Sequence, residues 1–236
     1  MGNLFNMDNG FFRFMGKVFD MILLNVITLV MCIPIVTIGP DITGLYYVTM
    51  KLVRDEEGYI IKGFFKSFKQ NFKQGFILEL IVALAAVIVY VDLGVTNNWM
   101  AQEGGIWLKL LFYALIGFTM VAVVTVVYVF PVLAKFENPV KRILTLSMMM
   151  AVRHLPQSIL MVVITVAAGV AVYVYPIAIF FVIDLAAFLN SIVLRKIFDN
   201  YIKVDSQGKI IDGESEAEDV ADEPAEEAKT EETEAE

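Results

Sequence analysis

Thiol and imidazole chemistry is almost absent from this chain: its 236 residues hold one cysteine, Cys32, and one histidine, His154. No disulfide can close within it, and a Cys/His metal site lacks both the ligands and their spacing. Phosphate loops of the G-x-x-x-x-G-K-[ST] type, G-x-S-x-G elbows, H-E-x-x-H pairs and dinucleotide fingerprints are also missing. The chain therefore reads as a non-enzyme with no cofactor and no metal. Cys32 sits in an apolar run and reads as a small buried hydrophobe. His154, between Arg153 and Leu155-Pro156 in a basic stretch, reads as an interfacial residue rather than a catalytic base.

Charge is scarce where the chain is most apolar. Hydrophobic residues make up 58% and the mean hydropathy is +0.70, against about 45–50% apolar residues in a soluble domain. The excess lies in runs of roughly 18 or more residues, the length that crosses a hydrocarbon layer about 30 Å thick. The net charge of −8 belongs to the C-terminal end. Residues 205–236 carry 14 acidic residues and 2 lysines, leaving the body mildly basic. With almost no hydrophobic residue beyond Ile211, this tail is expected to be disordered.

These features predict an all-α, polytopic transmembrane helix bundle. Residues 1–17, with Phe11, Phe12 and Phe14, read as an interfacial segment. Spans are expected at residues 18–33, 76–94, 106–134, 158–174 and 176–198. Arg13 and Lys17 precede an apolar stretch too long for a typical signal-peptide core, with no A-x-A site after it, so a retained first helix is expected. Residues 34–53 are ambiguous. Gly39-Pro40 marks a turn, Asp41 is a candidate N-cap, and a helix over 41–54 is short for a full crossing. The count is six helices if it crosses, or five plus a re-entrant helix if it does not.

Residues 58–74 alternate two faces at helical spacing. One carries Ile61, Phe64, Phe65, Phe68 and Phe72, the other Lys62, Lys66, Lys69 and Lys73. This is the pattern of a helix lying on anionic headgroups; a calmodulin-target-like or nucleic-acid-binding helix is the weaker reading, and no nucleic-acid partner is expected. Basic residues gather in the N-terminal segment and in residues 51–73, 135–153 and 195–209, whereas 95–105 and 174–176 have none. The positive-inside rule makes the first group cytoplasmic. With six helices both termini are inside, and in either count the acidic tail is. A weak repeat of element order, helix, basic connector, span, runs through residues 46–94 and again through 129–174, as in transporters built from duplicated halves.

The run Pro34-Ile35-Val36-Thr37-Ile38-Gly39-Pro40, followed by Leu45-Tyr46-Tyr47-Val48, Lys51-Leu52-Val53-Arg54 and Phe64-Phe65-Lys66-Ser67-Phe68-Lys69-Gln70-Asn71-Phe72-Lys73-Gln74-Gly75, resembles the YesL family of bacterial integral membrane proteins of unknown function. The resemblance is specific over roughly residues 10–80 and thinner beyond, at Asn190 and Phe198-Asp199-Asn200-Tyr201. It implies a plasma-membrane protein, loosely associated with carbohydrate uptake and use. It supplies no catalytic residue, and the acidic tail lies outside its pattern.

Ionisable groups inside spans are costly and face protein or water. Asp184 lies near the middle of the last span and shares a helical face with Phe188, Ser191 and Arg195. It reads either as a proton- or substrate-linked carboxylate or as a buried structural acid. Glu79 and Asp92, near the ends of one span, read as groups in contact with water or headgroups. Asp20 and Asn25 read as helix–helix hydrogen-bonding partners. Two functions follow. One is a non-catalytic accessory or scaffold of a carbohydrate-uptake system, with a sugar ABC transporter as partner. The alternative is a small transporter built around Asp184.

Overall fold

Proline and glycine punctuate the chain into seven α-helices among the described residues of a computed structural model, which describes residues 10–54, 56, 59–103, 105–136, 138–199, 202–204 and 210–212. They are α1 (Gly10–Met31), α2 (Ile38–Val53), α3 (Ile60–Glu103), α4 (Ile106–Lys135), α5 (Val140–Arg153), α6 (Leu155–Val174) and α7 (Ile179–Phe198). Four of them, α3, α4, α6 and α7, are long and apolar enough to cross a membrane. The chain divides into two compact units, Met1–Val193 and Leu194–Glu236. The first holds α1 to α6 and most of α7. The second holds the end of α7 and an antiparallel hairpin of β1 (Ile202–Val204) and β2 (Ile210–Asp212), with Lys203 opposite Ile211. β-Branched Ile202, Val204, Ile210 and Ile211 favour that pairing. The hairpin orders residues 210–212 within the stretch expected to be disordered; the rest of that stretch lies outside the described residues.

α1 is already helical at Gly10, so residues 10–17 continue into the expected first span; residues 1–9 lie outside the described residues. Its end is set by Pro34, which heads a single 3₁₀ turn, Ile35–Thr37. The Thr37 hydroxyl reaches back to the carbonyls of Met31 and Pro34 and so satisfies acceptors that the broken helix leaves open.

α2 starts at Ile38, three residues before the expected Asp41 cap. Thr37 makes no side-chain cap; instead the Gly39 N–H donates to the Glu79 carboxylate of α3 at 3.0 Å. A distant acid therefore caps α2, and Asp41 falls in its first turn, where a negative charge complements the helix dipole. α2 has 16 residues, about 24 Å at 1.5 Å per residue. It packs on α3 through glycines. A Cβ on Gly75 would lie 2.9 Å from the Pro40 nitrogen, and one on Gly44 would lie 3.0 Å from the Phe64 ring.

α3 is one helix of 44 residues, about 66 Å long. Residues 58–74 thus do not form a separate surface helix, because nothing between Ile60 and the span breaks the backbone. Phe64, Ser67, Gly75 and Leu78 are buried at helical spacing, with Phe64 and Gly75 against α2. Rings of Phe64, Phe68 and Phe72 run along the helix, the first pair stacked and the second edge-to-face. Lys62, Lys66, Lys69 and Lys73 stay exposed, as their spacing implied. Beyond Leu78, α3 and the start of α4 expose apolar side chains widely, among them Leu84, Val87, Tyr90, Leu110 and Phe118. Trp99 and Trp107 flank the α3–α4 connection and are both exposed.

The expected connector 135–157 contains a further helix. In α5, Ile143, Leu146, Ser147, Met150 and Ala151 are buried at i, i+3, i+4, i+7 and i+8, the stripe of an amphipathic helix. α4 meets α6 at a Tyr128 hydroxyl–Ser158 hydroxyl contact of 2.8 Å, and Ser158 also reaches the Ala151 and His154 carbonyls. Pro156 at the start of α6 breaks the helix after Arg153. Tyr175-Pro176 separates α6 from α7, as the sequence implied.

Candidate functional site

Small polar side chains of α1, α2 and α7 meet inside the first unit. α1 contributes Asn25 and Thr28, each 1% exposed. They lie three residues apart, and so on one helical face, with Cys32 four residues further on. α2 contributes Asp41, Tyr46 and Thr49, and α7 contributes Asp184, Asn190 and Ser191, all buried.

One half of this cluster is satisfied. The Thr49 hydroxyl donates to the Leu45 carbonyl at 3.0 Å and lies 2.8 Å from the Ser191 hydroxyl. With its one proton used, Thr49 accepts from Ser191. The Asn190 amide donates to the Tyr46 hydroxyl at 3.3 Å and to the Thr165 hydroxyl of α6 at 3.1 Å. The pairs 46–190 and 49–191 rise together, so α2 and α7 run parallel. The Asn25 amide, oriented with its nitrogen towards them, donates to the carbonyls of Ile179 at 3.3 Å and Phe180 at 3.1 Å. α1 is thereby tied to the start of α7.

The other half is not. Asp184 is 1% exposed and neither of its oxygens makes a hydrogen bond of normal geometry, although the Asn25 side chain lies within reach of its carboxyl. Asp41 acts on it electrostatically. Asp41 is fully buried; one oxygen accepts from the Cys32 thiol at 3.0 Å and the other has no partner. Thr28 Oγ1 and Asn190 Oδ1 are likewise without partners. Buried polar atoms are nearly always paired, so this concentration of unmet acceptors on α1, α2 and α7 marks the place where a ligand would gain most. A cleft of about 450 Å³ between α1 and α7 leads to Asp184 past Met21, Ile22, Phe181 and Leu185, with Lys17 in its wall.

The residues singled out from the sequence separate here. Asp184 and Ser191 share the α7 face turned to α2, and Ser191 is structural, paired with Thr49. Glu79 caps α2 rather than simply meeting water or headgroups. Arg195 lies in the last turn of α7, in the second unit, and is exposed. Lys62, Lys66, Lys69 and Lys73 are exposed on the first turns of α3, with Lys62 and Lys66 beside the last turn of α2. The sequence reading passed over Asp41 as more than a cap, along with Thr28, Tyr46, Thr49 and Thr165. The 25–28–32 stripe in α1 was the available signal.

A family model described as "Protein of unknown function, DUF624" matches residues 21–93. That segment holds Asn25, Thr28, Cys32, Asp41, Tyr46, Thr49 and Glu79. The chain is also similar to the uncharacterized protein YteU of Bacillus subtilis (strain 168), 24% identical over 173 residues, covering 72% of this chain and 74% of that protein. No solved structure matches. The chain is thus similar over residues 21–93 to a family of unknown function, and along most of its length to a protein that is itself uncharacterized.

Proposed function

We propose that this chain is a small, non-catalytic transport protein of the bacterial plasma membrane, with a proton or a small monovalent cation bound at Asp41 and Asp184. One observation supports this reading: of two buried carboxylates from different helices, Asp41 acts electrostatically on Asp184, and three of their four oxygens make no hydrogen bond of normal geometry. An uncompensated carboxylate in a low-dielectric interior is very costly. The pair therefore needs a proton or a cation between its oxygens, and exchange of that charge through the α1–α7 cleft is a transport step. Reconstituted into vesicles, the protein should dissipate an imposed proton or sodium gradient, and Asp184→Asn should not. Wild-type flux equal to that of empty vesicles would sink the idea.

The reading rests on six crossings, by α1, α2, α3, α4, α6 and α7, with α5 on the cytoplasmic surface. The parallel run of α2 and α7 supports it, since both then end on the side of the basic clusters and of the C-terminus. In a Cys32→Ser background, Lys69→Cys should react with an impermeant maleimide only after cells are opened. Labelling of intact cells would invert the orientation.

A second reading, an accessory of a sugar ABC transporter within a YesL-like setting, is favoured by the apolar surface exposed on α3 and α4. Lipid covers such a surface, and so does a partner's helix. Stoichiometric co-purification of transporter subunits from native membranes supports this reading, and their absence removes it.

A further inference from the structure

At the opposite end of α2 from Asp41, its last turn and the first turns of α3 enclose a second cavity of about 220 Å³. Lys51 comes from α2, and Lys62 and Lys66 from α3; Glu56 is the one carboxylate among the described residues lining it. Two of the lysines are held in place by aromatic faces. The Lys51 ammonium sits 4.7 Å from the centre of the Tyr47 ring, and that of Lys62 sits 4.6 Å from that of Tyr59. A ring face restrains a cation without neutralising it, so the charge stays available to a ligand. Gly63 lies in the cavity wall and leaves it room. A Cβ there would point at Tyr47 and Val48, 3.7 and 3.8 Å away, both of them in the cavity wall.

We infer that this cavity binds a single phosphate group, carried either by a soluble phosphate ester or by the headgroup of a phospholipid. Among the described residues, three ammonium groups stand against one carboxylate, a balance that favours an anion. Lysines serve phosphate as point charges where no planar fork is demanded. The volume lies below the roughly 300–1,000 Å³ of ordinary small-molecule pockets, leaving space for a phosphate and little attached to it. Nothing in this inference depends on the Asp41–Asp184 site.

The test uses the full-length protein in nanodiscs. In discs of zwitterionic lipid, inorganic phosphate is titrated calorimetrically. In discs containing phosphatidylglycerol, co-retained lipid is counted by native mass spectrometry. Lys51→Gln and Lys66→Gln should each weaken binding about tenfold or more, the size expected for losing a charge-assisted hydrogen bond. Gly63→Leu, which keeps every charge, should abolish it by filling the cavity. The double variant Lys69→Gln/Lys73→Gln, on the same helix but outside the cavity, should bind as the wild type does. Saturable phosphate binding in neutral discs identifies a soluble ester as the source. Lipid retention without it identifies a headgroup. Binding in neither disc overturns the proposal, and so does equal loss in the Lys69/Lys73 variant, which would mean diffuse surface charge. Should Gly63→Leu not fold, the comparison of Lys51 and Lys66 with Lys69 and Lys73 decides alone.

Discussion

Asp184→Asn is expected to raise the melting temperature of the purified protein while abolishing its ion flux. Both effects have one source. The Asp184 carboxyl is 1% exposed, its oxygens make no hydrogen bond of normal geometry, and a second acid, Asp41, acts on it. Asparagine keeps the shape and removes the charge. Replacing buried ion pairs by neutral groups of similar volume is often neutral or stabilising, by up to about 4 kcal/mol. The same direction is expected here, and sites that hold such strain for function lose the function when relieved. The measurement is a thermal melt in detergent beside the vesicle assay. A structural acid behaves oppositely: the melt falls because a needed partner is lost. A drop in melting temperature with flux retained would remove Asp184 from any transport role. Asp41→Asn should lose flux too, but with a smaller gain in stability, because it also costs the acceptor of the Cys32 thiol.

The second large effect concerns two glycines in one helix, whose replacement should act with opposite sign. Gly75→Ala places a methyl 2.9 Å from the Pro40 nitrogen and 3.0 Å from its Cα. Those are backbone atoms of the first turn of α2, and they cannot yield without moving the Gly39–Glu79 bond that caps that turn. Overpacking of this kind costs about 1–3 kcal/mol, and Gly75→Leu should prevent assembly of α2 on α3 altogether. Gly94→Ala, further along α3, meets nothing within 4 Å. There the gain in helix propensity, up to about 1 kcal/mol, is unopposed and the melt should rise. Equal effects at the two positions would mean that the close approach of α2 and α3 is not part of the folded state.

Hydropathy alone located α4, α6 and α7 to within a few residues, because lipid-facing helices carry their signal in every residue. It located α3 only in its second half. The Lys/Phe pattern of residues 60–74 is the same for a helix on a membrane surface and for one packed on a neighbour by its aromatic face. Only Gly44, which makes room for Phe64, separates the two, and it lies on another element. α5 was legible in the spacing of Ile143, Leu146 and Met150 but was masked by the basic residues around it. The Asp41–Asp184 pairing was not legible at all. Its two members belong to helices whose polar pairs are separated by 142 and 144 residues, and periodicity within one helix carries no record of which face meets which. For the same reason Asp41 looked like a local cap when the capping group was Glu79, brought in from α3.

The placement of Trp99 and Trp107 has an optical consequence. They are the chain's two tryptophans, and they flank a single connection, both largely exposed. Under selective excitation of indole, all emission from this molecule originates at one end of the α3–α4 pair. A water-soluble quencher added to sealed, uniformly oriented vesicles therefore darkens the protein fully or barely at all, according to which compartment that end faces. Quenchers fixed at known positions along the acyl chains read out its depth. The unaltered protein is thus its own reporter of orientation and immersion.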